Sequence, residues 1–269
     1  MASPNSPTTL RRHLSHACKK GALDTVQQLL KELGDQRHSD NHPAFLNALH
    51  NKNMDCAQLV FEVCDPTDKS FVEKGVEQAV KIGDEQWVEK LLCGCPSANV
   101  THLLPQICEQ GDSKMLHRLL PHSDPNCDKC FALCRAIVAE QIGCVRMLLP
   151  HTPLDQYDRL LGKAVEVGNH TVATLFIEKA TTHGRARALA GACKKNDAEM
   201  FNLLYPVTEV SKAVEVMDQY NSKYYVAYSD RALLTQQIKA DEERKKLEKT
   251  VKTVVDKKDE QAQALKRKM

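Results

Sequence analysis

The sequence predicts an all-α fold built from a row of helix–turn–helix repeats. Three observations lead to this prediction: a short pattern recurs every 28 to 32 residues, its apolar positions follow helical spacing, and aromatic residues make up only 5% of the chain. Repetition at such a period is typical of repeat architectures, and apolar residues three and four apart line one face of a helix. The low aromatic content disfavours a β-sandwich or barrel, because strands are rich in aromatic side chains.

The repeated pattern has a pair of small or apolar residues, two further residues, a turn residue, and an apolar run that closes on a pair such as Leu-Leu. Four copies have glycine at the turn, namely Gly21, Gly83, Gly111 and Gly168. Three weaker copies keep the apolar positions and centre on Asn51, Glu140 and Asn196. The predicted turns therefore lie at 21, 51, 83, 111, 140, 168 and 196, with spacings of 30, 32, 28, 29, 28 and 28 residues.

Each copy predicts two helices joined by a tight turn. Gly, or Asn in its place, tolerates the left-handed backbone conformation that closes the first helix, and an Asp or Asn nearby can cap the second helix. Pro121, Pro150 and Pro206 follow second helices and are expected to end them. Because one helix pair cannot bury its apolar face alone, neighbouring pairs are expected to stack.

This pattern resembles the ankyrin repeat family. The family's A-A-x-x-G-x-x-x-V-V-x-x-L-L core is matched best by Ala79–Leu92 and Ala17–Leu30, and the resemblance covers residues 10–206. It implies an ankyrin-like α-solenoid of about seven repeats, whose extended concave surface binds another protein. The family's Thr-Pro-Leu-His opening is absent, and the period is shorter than the usual length of about 33 residues. The shortening predicts trimmed β-turn fingers and a binding surface on the first helices.

Polar positions on the first helices are the candidate protein-binding residues. They are Lys19, Lys20, Lys81, Glu109, Glu166, Lys194 and Lys195, and a tyrosine cluster after the repeats adds Tyr224 and Tyr225. Tyrosine is favoured at interfaces, although these tyrosines could instead cover the last repeat, and surface charge also serves solubility. Trp87 has two interpretations as well, packing between neighbouring repeats or an interface hot spot.

The chain divides into a disordered N-terminus at 1–9, repeats at 10–206, capping helices at 207–228 and a charged C-terminal helix or tail at 229–269. Residues 230–269 are rich in Lys, Glu, Gln and Ala and contain no Gly or Pro, which favours one long helix. The apolar stripe of this segment, formed by Leu247, Val251, Val254 and Val255, is too short for a coiled coil. The segment is therefore predicted to be a solvated helix, or else a partner-binding or export tail.

The eleven cysteines raise the alternative of a structural zinc site. The best cluster is Cys127, Cys130 and Cys134, with His122 or His151 as a possible fourth ligand, because Cys-x-x-Cys is a spacing found in zinc sites. No second such pair follows, and residues 130 and 134 are four apart on a predicted first helix. The cysteines are therefore expected to be reduced core residues of a cytoplasmic protein, with zinc as the rival hypothesis.

The motifs of catalysis are missing from the sequence, so the chain is not expected to be an enzyme or to need a cofactor. Neither a Gly-rich phosphate loop nor an H-E-x-x-H helix occurs, and a Cys–His hydrolase would need a pocket that the sequence cannot show. The net charge of +2 argues against a nucleic-acid or membrane-surface partner, and no apolar run is long enough to span a bilayer. We expect a monomer with a protein partner.

The composition of the repeats and of the tail that follows them suggests a more specific resemblance. Degenerate, cysteine-containing units with ACKK helix ends at 17–20 and 192–195, followed by a charged tail, are similar to the ankyrin effectors that intracellular bacteria inject into host cells, as by type IV secretion. The resemblance implies a host protein as partner and a C-terminal secretion signal in place of an N-terminal signal peptide. A eukaryotic-type cytosolic ankyrin adaptor is the alternative.

Overall fold

The computed structural model of the chain describes residues 6–34, 41–216, 236–241, 243–244 and 246–248. Fourteen α-helices pair into seven helix–turn–helix units, residues 210–216 and 236–241 are also helical, and the described residues contain no strand. The prediction of an all-α fold is confirmed. The helices are α1 (Pro7–Lys20), α2 (Leu23–Leu33), α3 (His42–His50), α4 (Met54–Glu62), α5 (Lys69–Ile82), α6 (Glu85–Gly94), α7 (Leu104–Gln110), α8 (Ser113–Leu119), α9 (Cys127–Val138), α10 (Ile142–Leu148), α11 (Tyr157–Val167), α12 (His170–Ile177), α13 (Thr182–Lys195) and α14 (Ala198–Leu204).

The chain divides into two compact units, Met1–Pro153 and Leu154–Met269. In the first unit, odd-numbered helices pack in order, with α1 on α3, α3 on α5 and α7 on α9. Even-numbered helices do the same, with α2 on α4, α6 on α8 and α8 on α10. In the second unit, α11 packs on α13 and α12 on α14. We call the odd-numbered helices first helices and the even-numbered ones second helices.

One hydrogen bond recurs at every turn between the two helices of a pair. The residue after the left-handed turn residue donates its N–H to a carbonyl five residues back, which is the bond that defines a Schellman motif. The seven bonds are 2.9–3.3 Å long and end on Ala17, Ala48, Ala79, Ile107, Ala136, Ala164 and Ala192. In six of the seven copies, the carbonyl that accepts this bond therefore belongs to the alanine of the repeated pattern.

The prediction for the second turn is wrong by one residue. The left-handed residue is Lys52, with φ of 59°, whereas Asn51 has φ of −91°. The apolar pair of this copy is Ala48-Leu49, so the turn falls one position later. The spacing from Gly21 to Lys52 and the spacing from Lys52 to Gly83 are then both 31 residues. Lys52, Glu140 and Asn196 replace glycine at three turns.

The predicted caps and helix stops are found at most copies. Asp84, Asp112, Asn169 and Asp197 each accept an N–H from the first turn of the second helix at 2.9–3.0 Å. Each cap of this kind stabilises a helix by about 1 kcal/mol. The predicted prolines Pro121, Pro150 and Pro206 lie in single 3₁₀ turns directly after α8, α10 and α14.

Trp87 belongs to an aromatic core between neighbouring pairs of the first unit. Its ring lies 5.2 Å from that of Phe45 and 5.4 Å from that of Phe61, edge to face in both cases. Lys90 covers the outer side, with Nζ 4.7 Å from the indole centroid. Since Trp87 is 7% exposed, its role in this structure is packing between repeats.

Candidate functional site: a groove across three first helices

A groove of about 530 Å³ runs across α5, α7 and α9 of the first unit. Its apolar surface comes from Leu104, Pro105, Pro125, Phe131 and Ala132. Its polar surface comes from the start of α5, the loops before α7 and α9, and the first residues of α9. The groove therefore lies at the N-terminal halves of these first helices, beside the loops that connect one repeat with the next.

The loops before α7 and α9 form one wall of the groove. A series of hydrogen bonds holds these loops in place. The Glu73 carboxylate accepts the Asn99 N–H at 2.8 Å, and the Asn99 side-chain oxygen accepts the Thr101 N–H at 3.0 Å. Thr101 Oγ1 accepts the Asp124 N–H at 2.8 Å, and Asp124 Oδ1 accepts the Asn126 N–H at 2.9 Å. Because these bonds link α5 to two successive loops, the wall is ordered before any partner arrives, which lowers the entropic cost of binding.

The wall continues into a left-handed turn at the start of α9. Asp128, Lys129 and Cys130 have φ values of 50°, 54° and 60°. The turn is held by Asn126, whose carbonyl accepts the Cys130 N–H at 3.1 Å. A left-handed residue other than glycine costs about 1–2 kcal/mol, and strain of this kind concentrates at functional sites. The turn leaves Cys127 and Asp128 exposed on the groove while burying Cys130.

Phe131 is the most unusual side chain of the groove. It is 45% exposed, and it lies nine residues before the left-handed residue of its repeat. The same position in the other six copies is also exposed and holds Arg12, Pro43, Lys74, His102, Arg159 and Arg187. An aromatic residue thus replaces the charged or polar residue that five of these copies carry, and exposed aromatics are enriched at protein interfaces.

The groove carries an excess of negative charge. Lys69 and Glu73 offset each other, with Nζ 3.8 Å from the carboxylate oxygen. Asp124 and Asp128 also line the groove and are exposed. Neither carboxylate forms an ion pair with a cation of the described residues. The local balance of these four side chains is therefore negative.

The rival zinc site is not assembled in the structure. Within the part of the chain that the structure describes, no three His, Cys, Asp or Glu side chains converge on a point that could hold a metal ion. Cys127 is exposed, whereas Cys130 and Cys134 are 1% and 8% exposed in α9. The left-handed turn at residues 128–130 begins directly after the exposed Cys127 and ends at the buried Cys130. Nδ1 of His122 lies 3.3 Å from the Pro96 carbonyl.

The candidate residues chosen from sequence lie elsewhere on the first helices. Lys19, Lys20, Lys81, Glu109, Glu166, Lys194 and Lys195 are exposed and occupy the last turns of α1, α5, α7, α11 and α13. None of them lines the groove. On α5, Lys81 is twelve residues beyond Lys69, which is about 18 Å along the helix axis at 1.5 Å per residue. Tyr224 and Tyr225 lie outside the described residues.

Several of these exposed charges are paired within the surface. Lys81 Nζ lies 2.7 Å from Glu77, and its hydrogen bond holds the pKa of the Glu77 carboxyl below its usual value. Arg135 does the same for the pKa of Glu109. Glu166 pairs with Lys163 at 3.0 Å. Such exposed pairs contribute little to stability because solvent screens them, and they reduce the charge available to a partner.

The comparisons with known proteins add no family. No protein-family model matches the chain, and no curated protein matches it. None of the helices in the described residues has the length and apolar character needed to cross a membrane.

Proposed function

We propose that this chain is a protein-interaction scaffold that binds a partner protein in the groove across α5, α7 and α9. The observation that carries the proposal is Phe131, an exposed aromatic residue at a repeat position that is charged or polar in five of the other six copies. It stands beside Leu104, Pro105 and Pro125 in a concavity with a fixed wall. Such a combination of an aromatic anchor, an apolar concavity and a polar rim is the usual anatomy of a binding hot spot.

The architecture supports this function in a second way. Stacked helix pairs present a row of first helices, so a partner can contact several repeats at once. We assign the pairs to an ankyrin-like solenoid, since their turns combine the A-A-x-x-G pattern with the recurring Schellman bond. If this assignment holds, the loops before α7 and α9 correspond to the longer β-turn fingers of ankyrin repeats. The binding surface then comprises these loops and the N-terminal halves of the first helices.

The similarity to ankyrin effectors of intracellular bacteria extends the proposal to the partner's origin. In this version the partner is a host protein, and the residues after Asp230 carry the delivery signal. Removing those residues is expected to abolish translocation into host cells while leaving the groove intact. Unchanged delivery of the shortened chain would contradict the effector assignment without affecting the proposed binding function.

The groove is tested with two substitutions on one helix. Phe131 and Val138 both lie on α9 and are 45% and 44% exposed, but only Phe131 lines the groove. In affinity capture from cell lysate, we expect Phe131→Ala to lose the partner and Val138→Ala to retain it. A hot-spot loss of about 2 kcal/mol corresponds to roughly thirtyfold weaker binding. Equal capture by both variants, each shown to be folded by circular dichroism, would contradict the proposal.

A further inference from the structure

We infer that the groove selects a basic segment of its partner, in which an apolar side chain is followed closely by Lys or Arg. This inference rests on the groove being the protein-binding site proposed above. It adds the chemistry of the occupant, which follows from the charges that surround the apolar surface. An acidic segment and an uncharged apolar segment are the competing occupants.

The carboxylates of Asp124 and Asp128 provide the selectivity. Asp124 Oδ1 accepts one backbone N–H, from Asn126, and a carboxylate has further acceptor sites on both oxygens. The Asp128 side chain makes no hydrogen bond or ion pair with the described residues, and the left-handed turn holds this residue on the groove wall. Both oxygens of Asp128, and Oδ2 of Asp124, can therefore accept bonds from a cationic side chain.

The basic side chains near the groove do not pair with these two carboxylates. His102 lines the groove and forms no ion pair with either of them in the described residues. Lys69 lines the groove, but its ammonium group is 3.8 Å from Glu73. Lys129 follows Asp128 in the chain, yet it does not line the groove. An acidic partner segment would therefore face two uncompensated carboxylates, and like charges across an interface discriminate against the wrong partner.

The apolar part of the occupant follows from the residues beside the carboxylates. Pro125 is next to Asp124 in the chain, and Phe131 is on the same helix as Asp128. Both apolar residues line the groove together with Leu104. A segment that placed its apolar side chain against these residues would bring a neighbouring Lys or Arg to the two carboxylates.

Two substitutions remove the charge and keep the geometry. In Asp124→Asn, the side-chain oxygen can still accept the Asn126 N–H. In Asp128→Asn, the new residue tolerates the left-handed conformation, because Asn is among the residues enriched there. The matched control is Asp24→Asn with Glu140→Gln, which also removes two exposed carboxylates from the first unit but none from the groove.

The probe is a phage-displayed library of random 12-residue peptides, selected on the full chain at low salt. The wild type is expected to enrich peptides in which an apolar residue adjoins Lys or Arg. A synthetic enriched peptide is expected to bind the Asp124→Asn/Asp128→Asn variant about three- to tenfold more weakly, as for two exposed charge pairs. The control variant should bind like the wild type, and high salt should remove the difference.

The outcomes separate this inference from the proposed function. Enrichment of acidic or uncharged peptides whose binding is still lost in Phe131→Ala would overturn the charge selectivity and leave the groove as the binding site. Basic peptides that bind Phe131→Ala as well as the wild type would overturn both, and so would a selection that enriches no peptide. Equal loss in the groove and control variants would show a general charge effect and would also overturn the inference.

Discussion

Replacing Gly21 with Ala tests how one repeat is fixed to the next. Gly21 has φ of 70°, and a Cβ atom there would lie 2.8 Å from Oδ1 of Asn53. The Asn53 amide belongs to the following helix pair and donates hydrogen bonds to the Cys18 and Lys19 carbonyls, at 2.8 and 3.2 Å. The substitution therefore strains a left-handed turn and also displaces the side chain that binds the end of α1.

Gly83 supplies a matched control for the backbone part of this effect. Its φ is 75°, and apart from its own chain neighbours and the adjoining helix backbone no described residue lies within 4 Å of the added Cβ position. Left-handed Ala costs about 1–2 kcal/mol, and lower entropy of the unfolded chain offsets about 0.4–1 kcal/mol of this, so Gly83→Ala is expected to cost about 1 kcal/mol. The two Asn53 hydrogen bonds add roughly 0.5–1.5 kcal/mol each, so Gly21→Ala is expected to cost about 2–4 kcal/mol.

The assay is urea unfolding followed by circular dichroism, for each single variant and for Gly21→Ala in the Asn53→Ala background. Once the Asn53 amide is removed, the cost of Gly21→Ala should fall to that of Gly83→Ala, about 1 kcal/mol. The coupling between the two positions should therefore be about 1–3 kcal/mol. If Gly21→Ala costs the same in both backgrounds, the link between the two repeats does not stabilise the fold as argued.

Two further predictions concern pH and thiol reactivity. Burial opposes ionisation of Asp197, but hydrogen bonds from the Met200 N–H and from His170 hold its pKa below the usual 3.8. Because the folded-state pKa is depressed, this carboxylate stabilises the fold above that pH and less below it. The difference in unfolding free energy between wild type and Asp197→Asn should shrink from about pH 6 to about pH 3, and a constant difference would contradict the assignment. Only Cys93 and Cys127 are exposed among the eleven cysteines, so mass spectrometry should count two rapidly alkylated thiols in the folded chain.

The repetitive part of the fold could be predicted from sequence because it depends on local chemistry. A left-handed glycine, a capping Asp and a small residue before the turn act within one helix pair, so their spacing shows the architecture. The error at Asn51 arose because Lys52 takes the left-handed position without being a glycine or an asparagine. In that copy the turn could have been located only from Ala48-Leu49, because the left-handed residue lies four residues after the first member of this pair in every copy.

The groove was not predicted, because it depends on interactions between repeats and on one exception to the pattern. Glu73 accepts a hydrogen bond from Asn99, and Thr101 accepts one from Asp124. The partners are 26 and 23 residues apart in the sequence. No periodicity in the sequence reveals them. Phe131 did leave a signal, since aligning the seven copies on their turns shows an aromatic residue at a position that is mostly charged. The left-handed turn at residues 128–130 gave no such signal.

Hydrogen exchange of the full chain, with and without its captured partner, tests the central claim most directly. If the groove is the binding site, amides in residues 99–105 and 124–132 should become protected in the complex. The exposed faces of α6 and α8 should exchange as they do in the free chain. Protection confined to those second helices, or to the helix ends around Lys81 and Glu109, would show that the partner binds elsewhere and would contradict the account.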